Sequence, residues 1–160
     1  MAEGLSRYSD CDDWGIDESV FQILDQLWGR HTVDRFATDY NTKSKIFNSK
    51  YWCQYTEAID SFTQNWFGEN NWFVPPSSVI CKVIRKFSHD KANGTLVVPL
   101  WSSAAYWVLL HDNLGNLRKF ITDKQHLIYI HSVIVPGRGN NGVLGKFMKF
   151  TMAAFKIRFE

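Results

Sequence analysis

A helical repeat of apolar residues is the first clear pattern along the chain. The apolar positions that follow this spacing are Val20, Phe21, Leu24, Leu27 and Trp28. Asp17 precedes them and Gly29 follows the last of them. An aspartate carboxylate accepts the unpaired N–H groups of a first helical turn, and glycine commonly ends a helix. The pattern therefore predicts a helix between Asp17 and Gly29.

A second helix is predicted after the double proline Pro75-Pro76. Neither proline can donate a hydrogen bond to a sheet, so the strand predicted at Asn71–Val74 must end there. Ser77 or Ser78 is then a suitable helix cap. The apolar face of this helix carries Val79, Ile80, Val83, Ile84 and Phe87, and the opposite face carries Lys82, Arg85 and Lys86.

A run of apolar residues, Thr95–Leu100, is typical of a strand that is covered on both sides. A third helix is predicted at Ala104–His111, and the segment from Asp39 to Tyr55 is predicted to be an irregular, lysine-bearing loop. Further strands are predicted at Thr32–Ala37, Ala58–Phe62, Leu117–Thr122, Leu127–Val135 and Phe155–Phe159.

The alternation of strands and helices predicts an α/β fold. Because strands and helices follow one another and the strands are apolar, we expect a mostly parallel sheet with helices on both faces. The last strands are expected to form an antiparallel edge of this sheet.

Composition limits the class of protein. The chain has 160 residues, the size of one domain, and its 45% hydrophobic content argues against disorder. The net charge of +2 does not by itself indicate a nucleic-acid-binding protein. Cys11, Cys53 and Cys81 are widely spaced and form no metal-binding motif, so no metal site is predicted. No segment resembles a secretory signal or a membrane span, and we expect an intracellular protein without a membrane partner.

Three positions near the ends of predicted strands are candidates for chemistry. Asp34 and Asp60 lie in or beside strands, and Pro75-Pro76 leaves another. In a doubly wound sheet, ligands bind beyond the carboxyl ends of the strands, so these positions could share one crevice. The alternative is that the two carboxylates cap or pair locally and that the prolines only end a strand.

Two other features have structural interpretations. The glycine-rich segment 136–142 lacks the order of a phosphate-binding motif and is interpreted as a hairpin connection. His31, His89 and His111 are interpreted as residues at element ends or on the surface, since none stands in a known nucleophile motif.

Several segments, in order, resemble a known family. They include WG at Trp28-Gly29, TVDRFATDYNTK at Thr32–Lys43, AIDSFTQNW at Ala58–Trp66, NWFVPPSSVI at Asn71–Ile80 and GTLVVPLW at Gly94–Trp101. Their succession resembles the phage Dam-type adenine methyltransferases and the related methyltransferase-like region of DIRS-type retroelement polyproteins. Residues 1–13 resemble the tail of the ribonuclease H domain that precedes this region, so the methyltransferase-like domain is expected to span residues 14–160.

This resemblance implies a Rossmann-like methyltransferase-type fold and methyl transfer from S-adenosylmethionine to the amine of adenine. The family motif places a polar acceptor before two prolines and an aromatic residue after them, which stacks on the flipped base. Here these four positions are Val74, Pro75, Pro76 and Ser77, so both groups are missing. Each loss costs about 1–3 kcal/mol of transition-state stabilisation. The resemblance therefore implies a degenerate enzyme; the alternative is an active S-adenosylmethionine-dependent adenine DNA methyltransferase.

The same resemblance makes Asp34 and Asp60 vestigial cofactor-binding positions, and no bound cofactor is expected. Phe36, Ala37 and Thr38 stand where the family has a glycine-rich turn, and their side chains crowd a backbone that must approach the ligand closely.

Two functions without catalysis follow. The first is a structural or interaction module whose partners are other domains of the polyprotein, such as reverse transcriptase and ribonuclease H. The second is an accessory that binds DNA or RNA without sequence specificity through Lys82, Arg85 and Lys86. A contiguous basic face with exposed aromatic residues favours nucleic acid, whereas mixed charge favours an interaction module.

Overall fold

A computed structural model of the chain describes residues 14–127, 134–136 and 151–159. The predicted ribonuclease H-like tail at residues 1–13 lies outside the described residues, as do 137–142 of the glycine-rich segment and 128–133 of the strand predicted at Leu127–Val135. Within the described part of the chain, no helix combines the length and the apolar character needed to cross a membrane.

The first helix is confirmed. Helix α1 spans Glu18–Trp28, and the Asp17 carboxylate accepts a hydrogen bond from the Ser19 N–H at 2.9 Å. Gly29 follows the helix with φ of 89°, a conformation that favours glycine. Leu27 departs from the prediction because it lies 52% exposed, outside the buried stripe of the helix.

The second helix, α2, spans Ile80–His89 and starts later than predicted. A 3-10 turn at Ser77–Val79 precedes it, and the Val79 N–H donates to the Pro76 carbonyl. Neither Ser77 nor Ser78 caps the helix, because the turn already supplies backbone partners at this end. The apolar face is confirmed, with Ile80, Val83, Ile84 and Phe87 buried.

The described residues contain nine strands besides these helices. They are β1 Trp14–Ile16, β2 Val33–Asp34, β3 Ile46–Ser49, β4 Ala58–Ile59, β5 Asn70–Phe73, β6 Asn93–Pro99, β7 Ile121–His126, β8 Ile134–Pro136 and β9 Met152–Arg158. A short helix, α3, spans Trp107–Leu110.

Seven of the strands form one sheet in the order β4-β3-β2-β5-β6-β9-β7, whereas β1 pairs with β8 in a separate two-stranded sheet. The neighbours from β4 to β6 are all parallel. Strand β9 is antiparallel to both β6 and β7. The predicted mostly parallel sheet with an antiparallel edge is confirmed, and it is compatible with a Rossmann-like fold.

Each face of the sheet has its own hydrophobic core. Helix α1 contributes Leu24 and Trp28 to one core, which contains Trp72, Val97 and Ala154 of the sheet. Helix α2 packs on the other face, where its core residues include Val83 and Phe87 and those of the sheet include Phe73, Leu96 and Phe155. Alternating strand residues thus serve opposite faces, and the prediction of helices on both faces is confirmed.

The short strands at one side of the sheet were predicted incorrectly from the sequence. Strand β3 lies within the segment predicted to be a loop; its buried Asn48 and Ser49 do not give an apolar pattern. Strand β2 has two residues, although N–H groups of Thr32, Arg35 and Ala37 continue the bonding toward neighbouring strands. Strand β4 ends at Ile59, because Asp60 has φ of 62° and begins a 3-10 turn at Ser61–Thr63.

The later boundaries also differ from prediction. Helix α3 is shorter than Ala104–His111, since residues 102–106 form turns. Strand β7 starts at Ile121 instead of Leu117. It lies at the sheet edge and its sequence is mostly polar, so it gives no hydrophobic pattern. Strand β9 begins three residues before the predicted Phe155, because it pairs with β6 along its full length, from Pro99 opposite Met152 to Asn93 opposite Arg158.

Candidate functional site

The carboxyl ends of β2 and β5 lie side by side in the sheet. Asp34 ends β2, and Val74-Pro75 follows β5, so this part of the predicted crevice is assembled by adjacent parallel strands. Asp60 follows β4, which β3 separates from β2. The two strand spacings of about 5 Å separate Asp60 from Asp34 by about 10 Å across the sheet. Because Asp34 pairs with Phe47 and Ile59 pairs with Ser49, Asp60 also lies three residues, about 10 Å, farther along the strand direction.

The Asp34 side chain is buried, with 3% of its surface exposed. Its carboxylate accepts hydrogen bonds from the Lys43 N–H at 2.9 Å and the Phe36 N–H at 3.4 Å. Burial disfavours the charged form and raises the pKa of Asp34 to about 6, although both hydrogen bonds oppose this change. The segment between β2 and β3 therefore binds this carboxylate with its own backbone.

Asp60 also serves its own backbone. Its side chain is exposed and accepts a hydrogen bond from the Phe62 N–H at 3.1 Å, which caps the 3-10 turn. The contacts of both predicted cofactor-binding residues thus follow the local-capping interpretation. Among the residues that the structure describes, no three His, Cys, Asp or Glu side chains are grouped closely enough to hold a metal ion.

The degenerate motif begins in a hydrophobic environment. Val74 is 6% exposed and belongs to the core on the α1 face, together with Trp72 and Val97. Pro75 is buried, Pro76 is half-buried and Ser77 opens the 3-10 turn. The position at which the resemblance implies a polar acceptor is therefore filled by an aliphatic core residue.

The three predicted nucleic-acid-binding residues share one side of α2. The Lys82 ammonium lies 4.0 Å from the centre of the Phe62 ring, a cation–π contact. The Lys86 ammonium lies 2.9 Å from the Asp90 carboxylate. Arg85 is exposed to solvent. Two of the three cations are thus engaged by neighbouring groups of the same chain.

A buried arginine was missed by sequence reasoning. Arg35 is 4% exposed, and its Nε and Nη1 each donate at 2.8 Å, to the Oδ1 atoms of Asn71 and Asn48 respectively. Its Nη2 donates to the Asn65 carbonyl at 3.5 Å. Burial lowers the pKa of the guanidinium. No local sequence pattern indicates this network, since its members belong to different strands and loops.

His31 was predicted to be a surface or element-end residue. It lies between α1 and β2, but it is 4% exposed, not on the surface, and it is the centre of a second network. Its Nδ1 lies 2.9 Å from the Asp25 Oδ1, and its Nε2 lies 2.7 Å from the Thr95 hydroxyl. A carboxylate only accepts, so Nδ1 carries a hydrogen, and in the neutral form of the ring, which burial favours, Nε2 accepts the Thr95 proton. Burial lowers the pKa of His31, and the contact with Asp25 opposes this change.

An aromatic loop, residues 50–55, follows β3. Tyr55 is 79% exposed, Trp52 49% and Tyr51 37%. Cys53 lies in a small buried cluster with Ala37 and Phe47, which fixes the loop against the sheet. Three large aromatic side chains on so short a segment form an apolar surface of the kind found at binding sites.

The charges around the aromatic loop are mixed. Lys50 is the first residue of the loop, Glu57 and Asp60 follow the loop along the chain, and all three side chains are exposed. The Lys50 ammonium lies 5.4 Å from the centre of the Tyr51 ring. The exposed aromatic residues therefore do not belong to a purely basic surface.

The fold and these contacts define an α/β protein with a seven-stranded sheet, in which the Asp34 and Asp60 carboxylates accept hydrogen bonds from backbone N–H groups of the segments that follow them. Comparison of the chain with protein-family models, curated proteins and solved structures gives no match.

Proposed function

We propose that this chain is a catalytically degenerate methyltransferase-like domain of a retroelement polyprotein, and that it acts as an interaction module. The observation that carries this proposal is Val74, an aliphatic residue held in the hydrophobic core where the resemblance implies a hydrogen-bond acceptor. Without that acceptor and without an aromatic residue at Ser77, the amine of adenine is neither oriented nor stacked.

The strand order supports a methyltransferase-type fold. Numbered from β2 along the chain, the seven sheet strands run 3-2-1-4-5-7-6. The first part, 3-2-1-4-5, is the order of doubly wound nucleotide-binding sheets. The reversed strand, β9, lies beside the edge strand β7, in agreement with the antiparallel edge expected of this fold.

The surroundings of Asp34 support the loss of the cofactor. The two backbone N–H groups that donate to its carboxylate belong to the following segment, and Ala37 of that segment is buried against Phe47. A ligand that contacted Asp34 would have to displace these partners. We therefore propose that neither S-adenosylmethionine nor another cofactor is required for the function.

Labelled methyl transfer to adenine-containing DNA tests the loss of activity. We expect no transfer by the wild-type chain above a Pro75→Ala control. We also expect that Val74→Asn combined with Ser77→Tyr does not restore transfer, since the backbone of the segment after β2 still occupies the Asp34 carboxylate. Transfer by the wild-type chain above this control would establish the alternative, an active adenine methyltransferase.

The mixed charge around the aromatic loop favours a protein partner over nucleic acid. Tyr and Trp are enriched at protein interfaces, where they bury large areas at low entropic cost. The proposed partners are the reverse transcriptase and ribonuclease H domains of the same polyprotein.

Binding of those domains to the chain tests this surface. Trp52→Ala with Tyr55→Ala is expected to weaken binding at least tenfold, as for interface aromatic residues elsewhere. Phe67→Ala removes an aromatic residue that is 56% exposed outside the loop and is the matched control. Equal binding by the double variant and the control would exclude the aromatic loop as the interface.

Non-specific nucleic-acid binding is the second candidate function, favoured by the shared exposed side of Lys82 and Arg85 on α2. Affinity for unrelated sequences should then fall steeply with salt, because bound counterions are released. The Lys82→Glu/Arg85→Glu/Lys86→Glu variant should lose that affinity. A sequence preference that survives at high salt would contradict the electrostatic account.

A further inference from the structure

A pocket of about 310 Å³ opens at the amino edge of the sheet, opposite the end at which the candidate site lies. It lies where β5 and β6 begin and where the antiparallel β9 ends. The lining residues that matter here are Trp28, Glu69, Asn93, Thr95, Lys156 and Arg158. This volume is at the lower end of the range for small-molecule sites.

Two cations form one wall of this amino-edge pocket. Lys156 and Arg158 are two residues apart on β9, so both side chains project from the α1 face of the sheet. Lys156 lies opposite Thr95 and Arg158 lies opposite Asn93 on β6. Within residues 14–127, 134–136 and 151–159, neither cation forms an ion pair. Asp123 lies opposite Lys156 on β7. The Asp123 carboxylate accepts the indole N–H of Trp28, which lowers the pKa of Asp123, and the charge of Lys156 contributes to this lowering.

A carboxylate forms the other wall. Glu69 precedes β5, and β6 separates β5 from β9, so the acidic and basic walls are about 10 Å apart. The Glu69 Oε2 accepts a hydrogen bond from the Thr32 hydroxyl at 2.5 Å, which leaves its Oε1 to accept from a ligand. Such a pocket suits a molecule with an anionic group at one end and hydroxyl donors at the other.

We propose that the amino-edge pocket binds a small phosphorylated sugar, such as a pentose phosphate or a mononucleotide. A phosphate monoester carries a charge of about −1.5 to −2 at neutral pH, so it balances two adjacent cations better than a ligand carboxylate, with its single charge, does. The sugar hydroxyls donate to Glu69, as acidic residues do to ribose in nucleotide sites. This proposal is independent of the function proposed for the carboxyl end of the sheet.

Calorimetric titration of the intact chain with ribose 5-phosphate, adenosine 5′-monophosphate, adenosine and inorganic phosphate tests the proposal. We expect both phosphorylated sugars to bind and adenosine to fail. Equal affinities for the two would show that the base stays outside the pocket, and tighter binding of the nucleotide would show that the base is held. Absence of binding by both phosphorylated sugars at millimolar concentration overturns the proposal, as does equally tight binding of adenosine.

Three variants separate the two walls. Lys156→Gln and Arg158→Gln keep most of the side-chain length. Each should lower the affinity for ribose 5-phosphate about tenfold or more, since hydrogen bonds between charged groups are stronger than those between neutral groups. Glu69→Gln keeps the acceptor for Thr32. It should lower the affinity for ribose 5-phosphate without changing the affinity for inorganic phosphate. Lys45→Ala, an exposed lysine preceding β3, is the control for loss of one charge and should bind as the wild type does. Unchanged binding by both β9 variants, with folding verified by circular dichroism, would contradict the assignment.

Discussion

Asp34 makes the stability of the protein depend on pH. Its pKa is about 6 in the fold and 3.8 ordinarily, so the folded chain binds a proton more tightly than the unfolded chain. The stabilisation that Asp34 contributes is thus complete below about pH 3.8 and is lost as the pH rises through 6. This rise in the pKa corresponds to about 3 kcal/mol.

The Asp34→Asn variant should lack this contribution. We expect the free energy of unfolding of the wild type, relative to that of the variant, to fall by about 3 kcal/mol between about pH 3.5 and pH 7. Urea denaturation across this range measures the difference. Asp60→Asn also removes one exposed carboxylate and controls for net charge. A constant difference between the wild type and Asp34→Asn would contradict the buried, protonatable carboxylate.

The hydrogen bonds of Arg35 depend on the planar shape of its guanidinium as well as on its charge. Three groups accept from three of its nitrogens, and an ammonium on a lysine stem cannot reach all of them in that geometry. Arg35→Lys should therefore lower the free energy of unfolding by roughly 2–4 kcal/mol. Arg85→Lys, an exposed site on α2, should change it by less than about 0.5 kcal/mol. Equal stability of the two variants in urea would show that the network contributes little.

Neither buried network could be predicted from sequence. Arg35 reaches acceptors that are 13 and 36 residues away, and His31 reaches a hydroxyl that is 64 residues away. Their burial depends on strand order, which local patterns do not encode. Asp34, by contrast, was a candidate because it lies in a predicted strand, but the backbone groups that bind it come from a segment with no pattern of its own.

At the level of elements, the His31 network joins a helix, a strand and the connection that follows the helix. Asp25 belongs to α1, His31 lies between α1 and β2, and Thr95 belongs to β6. Thr95→Val replaces the hydroxyl by a methyl group of similar size and leaves the buried His31 Nε2 without its donor. The expected cost is about 1–3 kcal/mol in the free energy of unfolding, and Thr95→Ser should recover most of it. Equal loss in both variants would mean that packing of the methyl group, not the hydrogen bond, stabilises this contact.

His31 and Asp34 respond to acid in opposite senses. Because burial lowers the pKa of His31, its contribution to stability is present above the unfolded pKa of 6.5 and is lost as the pH falls below it. Asp34 contributes more as the pH falls through the same range. The pH dependence of either group is therefore measured by comparing a variant with the wild type at each pH.

The elements with strong patterns were predicted well. Helices α1 and α2 have four buried apolar residues each at helical spacing, and β6 is buried along almost its whole length. Strands β3 and β7 were missed or displaced because polar residues occupy them. In β3 these polar residues are buried and hydrogen-bonded, and in β7 they are exposed at an edge. Hydrophobic periodicity signals neither situation.

Across the whole molecule, the two halves of the sheet differ in how firmly they are held. Strands β6 and β9 pair over seven residues and lie between two hydrophobic cores, whereas β2 and β4 have two residues each. We expect amide hydrogens of β6 and β9 to exchange slowest with solvent, and those of β3 and β4 to exchange faster. Hydrogen exchange followed by mass spectrometry measures this order. Equal protection of both halves would indicate that the sheet opens only as one unit.

Strand β9 comes last along the chain among the described strands, yet it lies inside the sheet. Until β9 has been synthesised, β6 and β7 each lack the neighbour that β9 provides between them among the described strands. An apolar strand with an open edge is a template for pairing with other chains. The nascent chain thus exposes the unpaired edge of β6 from the synthesis of β6 until β9 emerges. Chaperones that bind exposed strands should bind the chain throughout that interval.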